Sequence, residues 1–235
     1  ETTVYNSAGH RESFTYDDTS GTRGWASYTN VFDSSDARVS YEVSLDSGRS
    51  MRVEFEEDAI VRRIWTAQNG DLDVQEFDPA GRLDRLTTTD VSDSRPWTSY
   101  VRTYDDTQRL VSTVRTDDNG DIQTETFVSG RLAKQVMTRA NGDTETTVFD
   151  SLGHRDSFVF QDLSDTRPYQ SYANTFDDKG DRLSYHLVHD NGDTETTLYE
   201  DGVRSKVTFV DVSDTRDWDS VTTYFDVTGT QTSTH

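Results

Sequence analysis

Residues of one type return in register every 72 positions along this chain, and no other feature constrains its fold as tightly. Tyr5, Phe77 and Phe149 form one such column. Trp25, Trp97 and Tyr169 form a second, Arg23, Arg95 and Arg167 a third, and Gly9, Gly81 and Gly153 a fourth. A chain that repeats itself at a fixed spacing builds the same small supersecondary unit several times over, and stacks the copies to bury what one copy cannot bury alone.

Each period holds three shorter units of 27, 23 and 22 residues, as in 77–103, 104–126 and 127–148. Each unit opens on an aromatic residue, usually followed by an acid and a turn. The third copy departs from this order. Its last unit, from Tyr199, carries Asp211-Val-Ser-Asp-Thr-Arg-Asp-Trp218 and so belongs to the 27-residue type. The expected organisation is one continuous array over 1–235. Residues 1–4 read as the tail of a preceding unit, 5–76, 77–148 and 149–224 as the repeats, and 225–235 as the start of an unfinished one.

The period of the side chains inside each unit is two. In Thr144 to Phe149, Thr144, Thr146 and Val148 fall on one face and Glu145, Thr147 and Phe149 on the other, the alternation of a strand with one wetter side. Asn141-Gly142 and Asn191-Gly192 interrupt such runs. Asn-Gly is a strong hairpin signal, and a type I′ turn with positive φ at both central residues is expected there. The 27-residue units carry an insertion: Asp90-Val-Ser-Asp-Ser-Arg-Pro-Trp97, Asp162-Leu-Ser-Asp-Thr-Arg-Pro-Tyr169 and, less regularly, Asp18-Thr-Ser-Gly-Thr-Arg-Gly-Trp25. Asp, Ser and Pro break the strand, so a loop of five to eight residues is expected. No stretch repeats apolar residues at helical spacing. The fold class is therefore all-β: antiparallel β-hairpin tandem repeats forming an elongated meander or solenoid-like sheet.

Composition narrows the alternatives. Hydrophobic residues make up 31% of the chain. Even with its 14 glycines the total stays below the roughly 45–50% of an ordinary globular domain. A thick core is excluded, and the aromatics must do most of the burying. The mean hydropathy of −0.84 and net charge of −21 would suit a disordered chain, but aromatics held in register over three copies argue for a sheet. The acidic balance argues against nucleic acid and anionic membranes, which require Lys/Arg clusters. It suits surroundings rich in salt or divalent cations. There is no cysteine, and no apolar run approaches the ~20 residues of a membrane-spanning helix.

Tyr104-Asp-Asp-Thr-Gln-Arg-Leu110, Phe77-Asp-Pro-Ala-Gly-Arg-Leu83 and Phe176-Asp-Asp-Lys-Gly-Asp-Arg-Leu183 resemble the YD (Rhs-type) repeat, whose signature is Tyr-Asp-x-x-Gly-Arg-Leu. That resemblance implies long spiralling antiparallel sheets of the kind found in secreted toxins and surface proteins. The Ser-Asp-Thr-Arg-x-Trp insertion lies outside the signature and resembles tandem repeats of large type I-secreted bacterial proteins. The Gly-Gly-x-Gly-x-Asp signature of calcium-binding segments in such proteins is absent.

Two sets of residues are candidate sites. The first is the column Arg23/Trp25, Arg95/Trp97, Arg167/Tyr169 and Arg216/Trp218. A guanidinium beside an aromatic face could bind sugar rings or an acidic polysaccharide. Alternatively the ring packs over the sheet and the Arg pairs with a nearby Asp such as Asp93 or Asp165. The second is Asp117, Asp118 and Asp121, with Asp190 and Asp193. These cluster oxygen ligands at glycine turns, which suits a hard cation such as calcium; turn-forming acids explain the same pattern. No cofactor is required by the sequence. No nucleophile motif, phosphate loop or zinc spacing occurs. His186 and His189 lie three apart and face opposite ways in a strand. His10 and His154 are equivalent turn residues.

The expected function is thus that of a non-enzymatic structural or adhesive repeat module, extracellular or on a bacterial cell surface. It would space, display or assemble a secreted protein and pair with copies of itself or with neighbouring repeats, with filament formation as one consequence. A carbohydrate-binding module built on the Arg/Trp column is the alternative, and a YD-type enclosing shell a further one.

Overall fold

The computed structural model describes residues 1–235 and contains twenty β-strands and no helix. It divides into two compact units, Glu1–Asp118 and Asn119–His235. The first holds β1 (Thr2–Tyr5), β2 (Arg11–Asp17), β3 (Trp25–Phe32), β4 (Arg38–Leu45), β5 (Ser50–Glu56), β6 (Ala59–Thr66), β7 (Leu72–Phe77), β8 (Leu83–Thr89), β9 (Trp97–Tyr104) and β10 (Leu110–Asp117). Each strand pairs antiparallel with the next. The second holds β11 (Ile122–Val128), β12 (Arg131–Thr138), β13 (Thr144–Phe149), β14 (Arg155–Gln161), β15 (Tyr169–Phe176), β16 (Arg182–His189), β17 (Thr194–Glu200), β18 (Val203–Val210), β19 (Ser220–Phe225) and β20 (Gln231–Thr234). It follows the same sequential pairing. Each unit is an open antiparallel meander, the fold class expected from the alternating sequence.

Three kinds of turn close the hairpins. At the aromatic-acid signature, the Asp78 backbone N–H donates to the Arg82 carbonyl (2.9 Å) and the Gly81 N–H to the Asp78 carbonyl (2.9 Å). The Asp78 carboxylate accepts from the N–H groups of Ala80 and Arg82. Asp150, Asp177 and Asp226 repeat this pattern. The aromatic before the acid sits at a break in register, as between Glu76 and Phe77 or Val148 and Phe149. Such bulges re-aim a side chain, and here an arginine of the preceding turn covers the ring. Arg11 lies 4.2 Å from the Phe32 centroid and Arg204 4.2 Å from that of Phe225.

The Asn-Gly turns differ from the expectation. Gly142 and Gly192 have φ of 96° and 89°, but Asn141 and Asn191 are not in the positive-φ region. The chain makes a hydrogen-bonded turn, with Gly142 N–H donating to the Arg139 carbonyl (2.9 Å), followed by a left-handed glycine. That is the longer hairpin loop with a glycine bulge. The asparagine amide is used as a side chain instead: Asn141 Oδ1 accepts from the Asp143 N–H (3.1 Å). Paired positive φ occurs at the tight turns Glu57-Asp58, Ser129-Gly130 and Asp201-Gly202. There only two residues separate the strands, so the turn must match their right-handed twist.

Cross-strand register places aromatic residues on one face of each sheet. In the first unit Tyr16, Tyr28, Val43 and Met51 oppose one another in succession, and the Tyr16 and Tyr28 rings stack at 5.8 Å. In the second, Phe160 stacks on Tyr172 at 5.4 Å. The other face is lined by hydroxyls, as where Thr15 meets Thr29 (3.0 Å) and Thr175 meets Ser184 (2.7 Å). Only Val43, Val53 and Phe160 are buried apolar residues, whereas eleven buried residues are polar or charged. Buried polar groups must be hydrogen-bonded to be tolerated, so the polar network carries as much of the fold as the rings do.

Candidate functional site

The arginine–aromatic column is a packed element at each of its four positions. The Arg23 guanidinium lies 4.9 Å from the Tyr16 centroid and 5.0 Å from that of Trp25. Trp25 meets Tyr16 edge-on at 5.4 Å. Arg167 covers Phe160 at 4.3 Å and Tyr169 at 6.0 Å. Arg216 covers Phe209 at 4.2 Å and Trp218 at 4.9 Å. Arg95 has Trp97 alone, at 4.7 Å. The expected pairing with Asp93 or Asp165 does not occur. Asp93 and Asp165 take positive φ (55° and 54°) at the loop bend. It is the arginine backbone that meets a carboxylate: the N–H groups of Arg95, Arg167 and Arg216 donate to Asp90, Asp162 and Asp211 at 2.6, 2.7 and 2.6 Å. A guanidinium lying beside two rings that themselves meet edge-on gains cation–π attraction from each. The column therefore offers little free ring surface except at Arg95.

The acidic candidates separate by what they touch. Asp193 is 2% exposed and joins two turns. Its carboxylate accepts from the Ser213 N–H (2.9 Å) and from Asn191 Nδ2 (2.8 Å). Asp143 does the same with Leu163, Ser164 and Asn141, and Asp71 with Ser92 and Asn69. Each of these carboxylates lies beside a second, Asp211, Asp162 or Asp90, which accepts from the same serine hydroxyl. The Ser213 and Ser92 N–H groups hold Asp193 and Asp71 at a pKa of about 2. Burial pushes Asp143 up, but Ser164 and Asn141 outweigh it and hold that carboxyl at about 2 as well. Asp121 accepts from the Ala140 N–H (2.9 Å) and from Arg139 Nη1 (3.2 Å). Asp117 pairs with Arg115 (2.7 Å). The Asp118 carboxyl is pushed up by desolvation and by the charges of Asp93, Asp90 and Asp117. Asp190 is exposed, and its carbonyl accepts from Gln170 (3.2 Å). No group of three or more His, Asp or Glu side chains is arranged to hold a metal ion.

Asp193 and Asp190 thus predict opposite behaviour three residues apart. Asp193→Ala leaves the half-buried Ser213 N–H without its acceptor and is expected to lower the melting temperature by roughly 5 °C or more. Asp190→Ala is expected to leave it within about 1 °C. Thermal unfolding followed by circular dichroism distinguishes the two, and equal shifts would refute the staple.

One site was not visible in the recurring motifs. Arg49, Trp65, Asp73, Gln75, Leu86, Thr88, Arg95 and Arg102 line a concavity of ≈ 480 Å³ in the first unit. Register explains the assembly: Trp65 opposes Asp73, Asp73 opposes Thr88, and Thr88 opposes Tyr100. In the adjacent row Arg63, Gln75, Leu86 and Arg102 follow one another. The available signal was a departure from the period. Thr88 stands in the column of Tyr16, Phe160 and Phe209, and Arg102 in that of Asn30 and Asn174.

No family model matches the chain, and no curated protein matches it. Solved structures do. The crystal structure of TcdB2-TccC3 is similar over 92% of this chain and 14% of that one, at 12% identity and a TM-score of 0.25. The same assembly without its hypervariable C-terminal region is similar over 96% and 14%, at 12% identity and a TM-score of 0.27. A porin-like protein from Bacteroides uniformis is similar over 76% and 85%, at 12% identity and a TM-score of 0.22. The chain spans about one seventh of the length of the TcdB2-TccC3 chains.

Proposed function

We propose that this chain is an architectural repeat module of a larger secreted bacterial protein, non-catalytic and extracellular, which spaces or displays other parts of that protein. The observation that supports this is how the recurring residues are used. The aromatic-acid turn, the Asp-x-Ser-Asp-x-Arg loop and, except at Arg95, the arginine–aromatic column spend their side chains on shaping their own hairpin, and the Asn-Gly-Asp turn on joining one hairpin to the next. Residues repeated for chemistry would leave reactive groups facing a cleft. These are consumed by backbone N–H groups and neighbouring rings. The resemblance of the aromatic-acid turns to YD-type repeats is in keeping with such a role, as is the acidic surface, which keeps an open sheet soluble and discourages edge-to-edge association.

Exchange of one period for another tests this. Replacing residues 77–148 by a second copy of 5–76 is expected to give a folded protein with unchanged β-sheet circular dichroism and a melting temperature within about 5 °C of the parent. Failure to fold would show that the periods are not interchangeable building units. Negative-stain electron microscopy of the purified chain, with and without calcium, tests the finer reading of self-association: regular fibres would establish assembly, and isolated particles would restrict the role to spacing.

A further inference from the structure

We infer that the concavity between Trp65 and Arg102 is a binding site for an acidic oligosaccharide, one carrying a single carboxylate per sugar. This goes beyond the architectural reading and does not depend on it. Carboxylates outnumber cations in this chain by 44 to 23, so a hollow whose lining gathers several arginines around a single carboxylate is a local reversal of charge. Three meet here. The ion pairs of the first unit engage Arg52, Arg62, Arg82, Arg85 and Arg115, while Arg49, Arg95 and Arg102 take part in none. Their guanidiniums rest on rings instead: Arg49 over Trp65 at 5.8 Å, Arg95 over Trp97 at 4.7 Å and Arg102 over Tyr100 at 4.7 Å. Their planar N–H forks remain free for an incoming carboxylate, the geometry in which arginine binds such groups in pairs of hydrogen bonds.

The equivalent place in the second unit shows what the period builds by default. There Asp121, Asp143 and Glu145 face Arg139 and Arg167 beside Phe160, and Arg139 is already paired with Asp121 (3.2 Å) and Glu145 (2.9 Å). The protein supplies its own anions and a ring. In the first unit Thr88 replaces the ring, so the hollow stays open, and Arg102 replaces an asparagine, so its charge is positive. The only carboxylate on the lining, Asp73, accepts from the Thr88 hydroxyl (2.7 Å).

The ligand class follows from the lining. The volume, ≈ 480 Å³, lies within the range of about 300–1,000 Å³ typical of small-molecule sites. The half-buried indole of Trp65, with the Arg49 guanidinium 5.8 Å from its centroid, is the apolar surface of the hollow against which the C–H side of a pyranose can lie beside that cation. Gln75 and Asp73 offer groups that bind hydroxyls. A densely charged phosphate or sulfate polymer would meet Asp73 and the field of a chain of net charge −21, whereas a uronate carries one charge per ring, separated by neutral hydroxyls.

The test is isothermal titration and tryptophan fluorescence with trigalacturonate, with maltotriose and sodium sulfate as comparisons. Trigalacturonate is expected to bind saturably, to perturb tryptophan emission, and to weaken as salt is raised. Arg102→Asn restores the residue of the other copies, so the fold has precedent for it, and is expected to weaken binding by about tenfold or more. Thr88→Phe restores the missing ring, closes the hollow, and is expected to abolish binding with the sheet signal intact. Arg131→Ala, in the second unit, is expected to bind as the parent does. No saturable binding, equal binding of maltotriose, full competition by sulfate at matched concentration, or unchanged affinity in both folded variants would each overturn the assignment.

Discussion

Phe160→Ala is expected to destabilise the unit Asn119–His235 by about 3–5 kcal/mol, more than any other single truncation in it. Phe160 is 2% exposed and is the only buried aromatic in the chain. Its ring stacks on Tyr172 at 5.4 Å, meets Tyr169 edge-on at 6.1 Å, and carries the Arg167 guanidinium at 4.3 Å on its face. Removing it leaves a cavity that its neighbours cannot fill. Tyr172 and Tyr169 are fixed on a strand, and Arg167 is anchored through its backbone N–H to Asp162. Phe158 is the informative comparison. It lies two residues away on the same face and meets Tyr172 at a tilt, 5.7 Å between centroids, but is only half-buried, so Phe158→Ala should cost clearly less. Urea unfolding of the two variants measures the difference. Equal costs would show that the rings act as surface cover rather than as a packed core.

Acid is expected to unfold the protein, and over a narrow interval. Asp71, Asp143 and Asp193 have folded-state pKa values of about 2, below the ordinary aspartate value near 3.9. A carboxyl depressed on folding contributes stability that is complete above its unfolded pKa and is lost as pH falls towards its folded pKa. The window is therefore from about pH 4 down to about pH 2. The turn acids Asp33, Asp78, Asp105, Asp150 and Asp226 are depressed as well and act in the same direction. Between neutrality and about pH 5 an opposite effect operates, because protonation of surface acids relieves the repulsion of a net charge of −21. Melting temperature against pH should accordingly stay level or rise slightly on going from pH 7 to about 5, then fall steeply below 4. A curve that falls steadily from neutrality, or stays level down to pH 2, would show that the staples contribute little. Asp193→Asn should make the acid limb shallower, since one of the titrating groups is gone.

The fold class was legible because strand periodicity and turn chemistry are local. Alternation in Thr144 to Phe149, glycine at each turn and the recurrence of aromatics every 72 residues all act within one hairpin or by direct repetition. The seven-residue loop between Thr89 and Trp97 was legible for the same reason. Turn type was less so. Whether Asn-Gly closes a two-residue turn or a longer one with a glycine bulge depends on how many residues the flanking strands leave between their last paired positions. At Asn141 the neighbouring pairing of Thr138 with Thr144 sets that number.

The acidic candidates show the limit more sharply. Asp190 and Asp193 read alike in sequence, but only Asp193 reaches the next loop, twenty residues on at Ser213. That contact needs β17 and β18 to pair in the correct register, Thr194 against Val210, and it turns a carboxylate that reads as a cation ligand into a buried staple. The arginines of the column read as partners for Asp93 or Asp165. Folding placed those acids at a bend and set the guanidiniums against rings instead.

The sequence by itself determined the repeat length, the strand alternation, the turn positions and the acidity, because each is written in neighbouring residues or in exact recurrence. Only the tertiary structure decided which acids are buried, which rings are covered and where a cavity opens. Arg49, Trp65 and Arg102 lie in three separate hairpins and share a surface through cross-strand register alone. A one-residue slip in any of those pairings would send a side chain to the opposite face of the sheet.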